Sequence, residues 1–446
     1  MNKKINVVGA GLAGCEAAWQ AAKRGIDVTL YEMKPAKYTP AHHYEGFAEL
    51  VCSNSLRSNQ IYNAVGLLKA ELGLMGSLVM EAAYASEVPA GGALAVDRYA
   101  FSDYITDKIR HCDRIEVRSE EVVEITDGIT VIATGPLTSD ALSERIAKVT
   151  GRDYLHFFDA AAPIVDAETI NMSKAFTASR YGKGEAAYIN CPFTREEYEN
   201  FYNALINAEA AEVHAPDMNS DGELTVFEGC MPVEIMAKRG FETLLYGPLK
   251  PVGLVDPRTG REPYAVVQLR QENLGKTMYN LVGFQTHLKF PEQKRVFSRI
   301  PGLENAEFLR YGVMHRNTFI NSPGLLGADY SLRRNPDLFF AGQLTGVEGY
   351  VESCASGFTA GLNAARRALS KENIIFDDIS VIGSMAAYVS DPNVTAFQPM
   401  NANFGLIAPL SVKVKGGKRG RLDAIAERSL EYIKAVSDVV FEDVVR

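Results

Sequence analysis

The chain has 446 residues, of which 47% are hydrophobic and 23% are charged, and its net charge is −9. This length allows two or three domains, and the composition is that of an ordinary globular protein. No apolar run reaches the roughly 18 residues that a membrane-spanning helix needs, and a glycine-rich strand follows Met1 too closely to leave room for a signal peptide. We therefore expect a cytoplasmic protein with no membrane partner. The acidic balance gives no sign of nucleic acid unless a local basic patch supplies it.

The six cysteines lie far apart in the sequence. They form no CxxC pair and no ligand cluster, which argues against a disulfide framework and against a structural zinc site. We expect no metal, and a cysteine with a function is expected to be a nucleophile.

The N-terminal residues predict a strand, a glycine turn, a helix and a second, parallel strand. Ile5–Val8 is an apolar run long enough for a buried strand, Leu12–Lys23 carries mostly strong helix formers, and Ile26–Tyr31 is a β-rich run that ends at the acidic Glu32. This order is typical of a unit that binds an adenine dinucleotide.

The glycines of the turn have separate physical tasks. Gly9 permits the tight turn, Gly11 leaves no side chain between the backbone and a pyrophosphate, and Gly14 lets the helix pack closely on the sheet. The helix N-terminus presents free N–H groups to the phosphates, and Glu32 is placed to accept from both ribose hydroxyls and to repel a 2′-phosphate. The predicted contacts are Gly9, Ala10, Gly11, Leu12, Ala13, Gly14 and Glu32. A second glycine-rich segment near the end of the chain favours FAD over NAD.

Residues 33–59 predict an extended, ordered loop. The segment is rich in proline, histidine and polar residues, and long loops inside a compact domain tend to be functional or disordered. The apolar run Phe47–Val51 argues for order, and it leads into Cys52 among small polar residues that can hydrogen-bond a thiolate. Simple packing of a small apolar side chain explains Cys52 equally well at this point.

Further helices and strands are predicted before residue 137. They are a helix over Leu67–Ala85, a helix from the N-cap Asp97 to Arg110, and strands over Ile115–Val117, Val122–Ile125 and Ile129–Ala133. The last strand ends in Ala-Thr-Gly, a pattern that recurs in flavoproteins where the sheet meets the cofactor a second time. Gly135 is therefore a further predicted cofactor contact.

The character of the sequence changes between residues 137 and 335. The predicted elements are helices over Asp140–Val149 and Arg195–Ala211, strands with proline and glycine turns over Thr243–Val255, and strands over Ala265–Gln271 and Tyr279–Gly283. The segment is too long for a crossover connection, so it predicts an inserted domain.

A second strand, glycine junction and helix follow. Asp337–Phe340 is the strand, Gly342 begins the junction, and Ser353–Leu369 is the helix, whose N-terminus is placed to face the pyrimidine end of a flavin. Gly342 and Tyr350 are predicted cofactor contacts. Tyr350 either stacks on a flavin or pterin or serves only in packing.

The densest basic cluster lies near the C-terminus, before a helix predicted over Tyr432–Val445. Its members are Lys413, Lys415, Lys418, Arg419 and Arg421. Glycines within the cluster could let it follow a phosphate backbone, so it is the predicted RNA-binding segment. A solvated charged face is the equally weighted alternative.

Sequence motifs along most of the chain, from residue 5 to about residue 405, point to one enzyme family. They are VVGAGLAGCEAAW, FAELVCSNSL, GSLVMEAA, VPAGGALAVDR, TVIATGPLTS, FEGCMPVE, LLYGPLKPVGLVDPRTG, AVVQLRQEN, LVGFQTHLKFPEQKRVF, IPGLENAEFLRYGVMHRNT and GVEGYVESCASGF. Together they resemble the folate- and FAD-dependent tRNA uracil-5-methyltransferases, glucose-inhibited-division-protein-like flavoproteins that make 5-methyluridine in the T-loop of bacterial tRNA.

The resemblance implies an α/β fold in which an α+β insertion domain, residues 137–335, interrupts a Rossmann-type FAD-binding domain formed by residues 1–136 and 336–446. It implies FAD, methylenetetrahydrofolate as carbon donor, NADH or NADPH as reductant, and the T-arm of tRNA as partner. Two family cysteines match Cys230 and Cys52. In the family chemistry, Cys230 adds to carbon 6 of uracil and Cys52 assists as partner or general acid or base.

Several alternatives stay open at this point. The same chemistry could act on ribosomal RNA, and a flavin-dependent oxidoreductase of a small molecule or an RNA-binding scaffold would explain part of the pattern. The base that removes the proton from carbon 5 is Cys52, Glu228 or Glu352. The sequence indicates neither the preferred nicotinamide nor the oligomeric state.

Overall fold

The computed structural model of the chain describes residues 4–152, 154–182, 185–211, 231–395, 397–412 and 414–445. The helices are α1 (Leu12–Ala22), α2 (Ala64–Leu74), α3 (Leu78–Ala85), α4 (Arg98–Arg110), α5 (Asp140–Thr150), α6 (Arg195–Ile206), α7 (Val233–Lys238), α8 (Phe290–Phe297), α9 (Tyr350–Ala368), α10 (Val381–Ser390) and α11 (Gly417–Glu442). The strands are β1 (Lys4–Val8), β2 (Asp27–Glu32), β3 (Ser55–Ser58), β4 (Glu87–Val88), β5 (Ala93–Val96), β6 (Ile115–Ser119), β7 (Thr130–Ile132), β8 (Tyr154–Ala160), β9 (Ile164–Asp166), β10 (Phe176–Ala178), β11 (Tyr188–Phe193), β12 (Ala265–Gln271), β13 (Met278–Leu281), β14 (Phe308–Arg310), β15 (Met314–Ile320), β16 (Ser331–Leu332) and β17 (Asn335–Phe340).

The first sheet is parallel except at one edge. Its described strands follow the order β16, β17, β7, β1, β2, β6, and β16 pairs antiparallel with β17. The chain places β2 and β6 on one side of β1, then β7 and β17 on the other, so the strand order reverses between β1 and β7. Ligands of such sheets bind at the carboxyl ends of the strands at this reversal. Here that position follows Val8 and Ile132.

Helices α1 and α9 pack against each other at glycines. A Cβ at Gly357 would lie 2.2 Å from the carbonyl oxygen of Ala13, and a Cβ at Gly361 would lie 2.4 Å from the Cα of Ala17. The two glycines are four residues apart, so they share one face of α9. This contact sets the spacing between the start of α1, at the first glycine turn, and the start of α9 at Tyr350.

The second sheet is antiparallel and has its own apolar core. Its described strands follow the order β10, β11, β12, β13, β9, β14. Phe193, Phe201, Phe284 and Phe297 are buried beside it and pack ring against ring. One parallel sheet of Rossmann strand order and one antiparallel sheet with helices confirm the predicted α/β fold class.

Two paired strands carry the chain between the sheets. β8 and β15 run antiparallel, with Tyr154 opposite Ile320. Helix α5, which precedes β8, packs on the parallel sheet, because its buried Leu142 shares a core cluster with Val8 and Ile132. The domain limits after residues 136 and 335 stay a prediction.

Most predicted elements agree with the structure. The first strand, helix and second strand are confirmed, as is the strand Ala265–Gln271. The helix that begins after Asp97 is also confirmed, because the Asp97 carboxylate accepts from the N–H groups of Tyr99 and Ala100. Here the cap residue that sets the start of the helix is readable from the local sequence.

Several predictions of local structure are wrong. Residues Val122–Ile125 form no strand. The helix predicted over Leu67–Ala85 is two helices, because Ser77 caps a new one by accepting from the N–H of Met80. The segment Thr243–Val255 starts with a 3₁₀ turn instead of a strand.

The described part of the chain has no membrane-spanning helix and no metal cluster. No helix there is long and apolar enough to cross a membrane. No group of three or more His, Cys, Asp and Glu side chains among the same residues could hold a metal ion. The described cysteines are free thiols: Cys15, Cys52, Cys112, Cys191 and Cys354.

A buried carboxylate ties three helices together. Glu71 of α2 accepts from the N–H groups of Val381 (2.8 Å) and Ile382 (2.9 Å), and from Ser429 Oγ of α11 (2.5 Å). The two N–H groups belong to the first turn of α10, where backbone N–H groups have no acceptor within their own helix. Burial raises the pKa of Glu71 to about 7.

We predict that Glu71→Gln changes how stability depends on pH. The folded pKa of about 7 exceeds the roughly 4.3 of an unfolded glutamate. The folded chain therefore binds the proton of Glu71 more tightly than the unfolded chain does. The contribution of this proton to the free energy of unfolding is complete at acid pH and is lost as the pH rises through about 7. Glutamine has no proton to lose. The thermal midpoint of the variant, relative to the parent, should rise between about pH 5 and about pH 8.

The control for this prediction is Glu431→Gln, at an exposed position of α11. Its midpoint should differ from that of the parent by the same amount at both pH values. A pH-independent difference for Glu71→Gln would contradict the prediction.

Candidate active site

A cavity of about 420 Å³ opens at the carboxyl ends of β1 and β7. It extends from the first glycine turn to the loop that carries Cys52. The predicted cofactor contacts that line it are Gly9, Ala10, Gly11, Leu12, Ala13, Glu32, Gly135, Gly342 and Tyr350. The structure thus brings residues from both ends of the sequence to one cavity, at the reversal of strand order.

The first glycine turn brings backbone against backbone. Gly9 has a φ of +97°, and a Cβ there would lie 2.7 Å from the carbonyl oxygen of Ala133. A Cβ at Gly14 would lie 1.8 Å from the carbonyl oxygen of Gly9, so only glycine lets α1 pack this closely. At Gly11 a Cβ would meet no described atom within 4 Å. The space in front of Gly11 is therefore open to a ligand.

Glu32 holds the same turn from the side. It is buried, and its carboxylate oxygens accept from the N–H groups of Ala10 (2.9 Å) and Lys34 (3.0 Å). A carboxylate has about four acceptor positions, so acceptor capacity remains for a ligand. These residues fit a dinucleotide: an acid for the ribose hydroxyls, and open backbone with a helix N-terminus for the pyrophosphate.

The second glycine junction forms another wall of the cavity. Gly342 follows β17 with a φ of +79°, and its N–H donates to Ser356 Oγ of α9 at 2.7 Å. Gly349 has a φ of +111° and immediately precedes α9. Tyr350 and Val351 of the first turn of α9 line the cavity. The positive end of the α9 dipole therefore lies at the cavity wall.

Tyr350 fixes the loop that carries Cys52. The Tyr350 hydroxyl oxygen accepts from the N–H groups of Cys52 (2.8 Å) and Ser53 (3.3 Å). Burial raises the pKa of Tyr350, so the hydroxyl keeps its proton. The Cys52 thiol lies 3.8 Å from the carbonyl oxygen of Ala160, and both residues line the cavity.

Asn54 and Arg270 hold the same loop from the side of the second sheet. Asn54 Nδ2 donates to the carbonyl oxygens of Val96 and Gln271, at 2.9 Å each. Arg270 of β12 donates from Nε to Asn54 Oδ1 at 2.9 Å and from Nη2 to Ser53 Oγ at 2.7 Å. Both side chains are buried, and Arg270 also lines the cavity.

A buried ion pair joins helix α4 to the end of β12 beside this loop. Arg98, at the start of α4, lies 2.8 Å from a carboxylate oxygen of Glu272, which follows β12, and also donates to the carbonyl oxygen of Leu50. Burial works against the charge of Arg98, yet Glu272 raises the pKa of Arg98 above its ordinary value. Removing one partner of such a pair costs about 3–5 kcal/mol.

A second buried acid pairs with Arg57, which lines the cavity. The guanidinium of Arg57 contacts Glu352, a fully buried residue of α9. Lys69 Nζ donates to the carbonyl oxygens of Leu56 and Ser58, at 2.7 Å each, on either side of Arg57. Burial lowers the pKa of Lys69 to about 7. Glu352 is not one of the described residues that line the cavity.

The predicted nucleophile Cys230 lies outside the described residues. Described residues follow it directly: Met231 and Val233 are buried, and the N–H of Val233 donates to the carbonyl oxygen of Gln285 at 2.7 Å. Gln285 lines the cavity. The chain after Cys230 is therefore attached to the cavity wall.

The basic segment becomes helical at Gly417, after Lys415. Lys413 lies outside the described residues. The exposed members are Lys415, Lys418, Arg419 and Arg421. The predicted start of the last helix at Tyr432 is wrong. Helix α11 begins at Gly417, so it includes part of the glycine-containing basic segment. Arg419 forms an ion pair with Asp423 at 2.9 Å, and its guanidinium lies 3.7 Å from the ring centroid of Tyr62.

Sequence reasoning missed the side chains that hold the Cys52 loop. It assigned no role to Asn54, Arg98 or Arg270, although each stands within a quoted motif. The available signal was a polar residue in an apolar context, since Arg270 stands near the end of an otherwise mostly buried apolar strand. Its partner is more than two hundred positions away, at Asn54, so the sequence could not name it.

Comparison with known proteins shows the family of the chain as a whole. The sequence profile of the family described as glucose inhibited division protein A matches residues 4–372. A protein of Acetivibrio thermocellus is 62% identical over 431 residues, covering 96% of this chain and 98% of the relative. One of Listeria welshimeri is 58% identical over 440 residues, covering 99% of this chain and 100% of the relative. Both relatives are named methylenetetrahydrofolate–tRNA-(uracil-5-)-methyltransferase TrmFO.

A solved structure of Aquifex aeolicus GidA has a TM-score of 0.69 and 18% sequence identity, and covers 99% of this chain and 75% of that chain. At this identity the likeness shows the fold alone. The profile match and the two relatives extend over most of the sequence. The chain therefore belongs to the glucose-inhibited division protein A family, within its group of methylenetetrahydrofolate–tRNA-(uracil-5-)-methyltransferases.

Proposed function

We propose that this chain transfers the methylene carbon of methylenetetrahydrofolate to carbon 5 of the T-loop uridine of tRNA and reduces it to a methyl group, giving 5-methyluridine. The observation that carries the proposal is a single cavity that joins a dinucleotide turn to the loop of Cys52. The names of the two relatives state the same donor, the same RNA and the same position on uracil.

The dinucleotide end of the cavity fits FAD. Glu32 would hold the ribose, and Gly11 with the N-terminus of α1 would hold the pyrophosphate. When bound, FAD supplies the reducing step that turns the methylene carbon into a methyl group, with NADH or NADPH as the source of electrons. The first turn of α9, from Tyr350, would stabilise negative charge on the ring system through its dipole.

The two cysteines have separate proposed roles. Carbon 5 of uracil is a poor nucleophile until a group adds at carbon 6, and this addition is the role of the Cys230 thiolate. The assignment of Cys230 comes from the family motif. Cys52 stands at the cavity wall, with its backbone N–H held by Tyr350, and is the proposed partner in proton transfer.

Among the candidate bases for carbon 5, the geometry favours Cys52 over Glu352. Glu352 is fully buried, is paired with Arg57 and does not line the cavity, whereas Cys52 does. A base must come within hydrogen-bond reach of the proton that it removes. Glu228 lies outside the described residues.

The basic segment of residues 413–421 is the proposed contact to the tRNA backbone. The described Lys415, Lys418 and Arg421 are exposed on and beside the first turns of α11. Arg419 is less available, because Asp423 offsets its charge. Backbone contacts of this kind position the RNA without reading its sequence. Since tRNA is the proposed substrate, the proposed location is the cytoplasm.

The first prediction concerns the product and the nucleophile. FAD-loaded protein with methylenetetrahydrofolate and NADH should place one methyl group on carbon 5 of the T-loop uridine of a T-arm transcript, as located by nuclease digestion and mass spectrometry. Cys230→Ala should lower the rate by roughly a thousandfold or more. Cys112→Ala, a free thiol that is not among the cavity-lining residues, is the control. A methylated product from Cys230→Ala at the parent rate would remove Cys230 from the mechanism.

The second prediction concerns FAD binding. Gly11→Val places a side chain in the open space before the turn, so the chain should still fold. The pyrophosphate should lose its close approach to the backbone, so the variant should purify with less than about a tenth of the parent FAD content. Flavin absorbance per protein measures this. Gly92→Val is the control, because a Cβ at Gly92 also meets no described atom within 4 Å. Parent-like flavin content in Gly11→Val would contradict the assignment of the turn.

The third prediction concerns RNA affinity. Replacing Lys415, Lys418 and Arg421 together by alanine should weaken tRNA binding and lower the slope of log Kd against log salt by roughly one for each phosphate that the variant no longer binds. Filter binding at several salt concentrations measures both. A matched triple alanine variant uses exposed basic residues elsewhere, namely Lys148, Arg261 and Lys276. Equal salt slopes for the two triple variants would exclude the segment from the interface.

A further inference from the structure

Arg270 is a buried cation that binds only neutral groups of the chain. It is 7% exposed and lines the cavity. Its Nε and Nη2 donate to Asn54 Oδ1 (2.9 Å) and Ser53 Oγ (2.7 Å). Among the described residues, no carboxylate forms an ion pair with Arg270, and Nη1 has no hydrogen-bond partner.

Two other arginines near the Cys52 loop differ in this respect. Arg98 is paired with Glu272, and Arg57 is paired with Glu352. A buried charge is costly unless an opposite charge or strong hydrogen bonds compensate it. For Arg98 and Arg57 the chain supplies this compensation. For Arg270 the chain supplies only neutral partners, so an anionic group of a ligand in the cavity would complete its compensation.

The shape of the guanidinium limits what that ligand group can be. It presents five N–H donors in a rigid, planar fork, which suits an oxygen acceptor in the same plane. Ser53 and Asn54, which hold Arg270 in place, directly follow Cys52. Arg270 therefore lies at the part of the cavity wall that carries the Cys52 loop.

We propose that Arg270 binds the oxygen on carbon 4 of the target uracil and stabilises the negative charge that forms there. The inference rests on the proposed function. It makes Arg270 a catalytic residue, because its guanidinium touches the reacting base.

The charge moves as follows. When a thiolate adds to carbon 6, a sulfur–carbon bond forms, and the electron pair of the bond between carbons 5 and 6 shifts to give an enolate with its charge on the oxygen of carbon 4. The charge of the thiolate is thus transferred to that oxygen. When carbon 5 then bonds to an incoming carbon or proton, the electron pair returns and the carbonyl reforms. A donor placed at such an oxyanion contributes roughly a hundred- to a thousandfold in rate.

A flavin has a similar imide edge and also gains negative charge on reduction, so the test must separate the two sources. Addition at carbon 6 makes the hydrogen on carbon 5 exchangeable even without folate. We would measure release of tritium from a T-arm transcript that carries the label at carbon 5 of uridine. Reduction of FAD by NADH would be measured on the same FAD-loaded proteins.

Arg270→Gln should slow tritium release by roughly a hundredfold or more, because glutamine can still bond the loop but carries no charge. Arg270→Ala should show the same loss, and ethylguanidine should restore part of its rate. Ser53→Ala removes one bond to Arg270 but keeps the guanidinium, so it should lose less than about tenfold. FAD content and the thermal midpoint identify any variant that fails to fold.

Three results would overturn the inference while the parent protein releases tritium. The first is tritium release at the parent rate from Arg270→Gln, and the second is an equal loss of rate in Ser53→Ala and Arg270→Ala without rescue by ethylguanidine. The third is a loss of FAD reduction in the Arg270 variants with tritium release intact. The second result would mean that Arg270 acts only through the loop. The third would place Arg270 at the flavin. A parent protein that releases no tritium and makes no 5-methyluridine would refute the proposed function itself, and the inference with it.

Discussion

The site depends on the close packing of α1 against α9. Gly357 and Gly361 bring α9 against the backbone of α1 at distances that no side chain would allow. The first helix begins at the dinucleotide turn, and the other begins at Tyr350, which holds the backbone of Cys52. Because both helices are rigid over several turns, their contact fixes the distance from the cofactor cradle to the reactive loop. Residues from opposite ends of the sequence are thereby positioned relative to each other through one close contact between two helices.

Around the loop, the chain treats its charges in two ways. Arg98 and Arg57 meet carboxylates of the chain, so these pairs are complete before any ligand binds. Lys69 bonds only to carbonyl oxygens, and Arg270 bonds only to a hydroxyl and an amide. The Arg98–Glu272 pair ties α4 to the end of β12, and the Arg57–Glu352 pair ties β3 to α9. Arg270 leaves positive charge at the wall of a cavity in which an anionic cofactor and an anionic RNA are proposed to meet.

The sequence predicts best what a short stretch of chain decides by itself. The dinucleotide turn is of this kind, since the spacing of its glycines already specifies a strand, a turn and a helix. The contacts of Arg270 are of the other kind, because its hydrogen-bond partners come from a loop far away in the sequence. Val122–Ile125 shows the same limit, since an apolar run becomes a strand only where a neighbouring strand is available to pair with it. The family motifs marked Cys52 but could not show what holds it.

The ribbon of β8 and β15 has a consequence for the history of this architecture. Its strands lie side by side, with Tyr154 opposite Ile320, so the long segment between them leaves and re-enters at one place. Segments whose ends lie close together are tolerated as insertions, because the host need not rearrange to accept them. A segment attached in this way can be acquired, replaced or diversified while the dinucleotide sheet stays unchanged. The same dinucleotide-binding sheet and glycine turn can thus serve different substrates over evolutionary time.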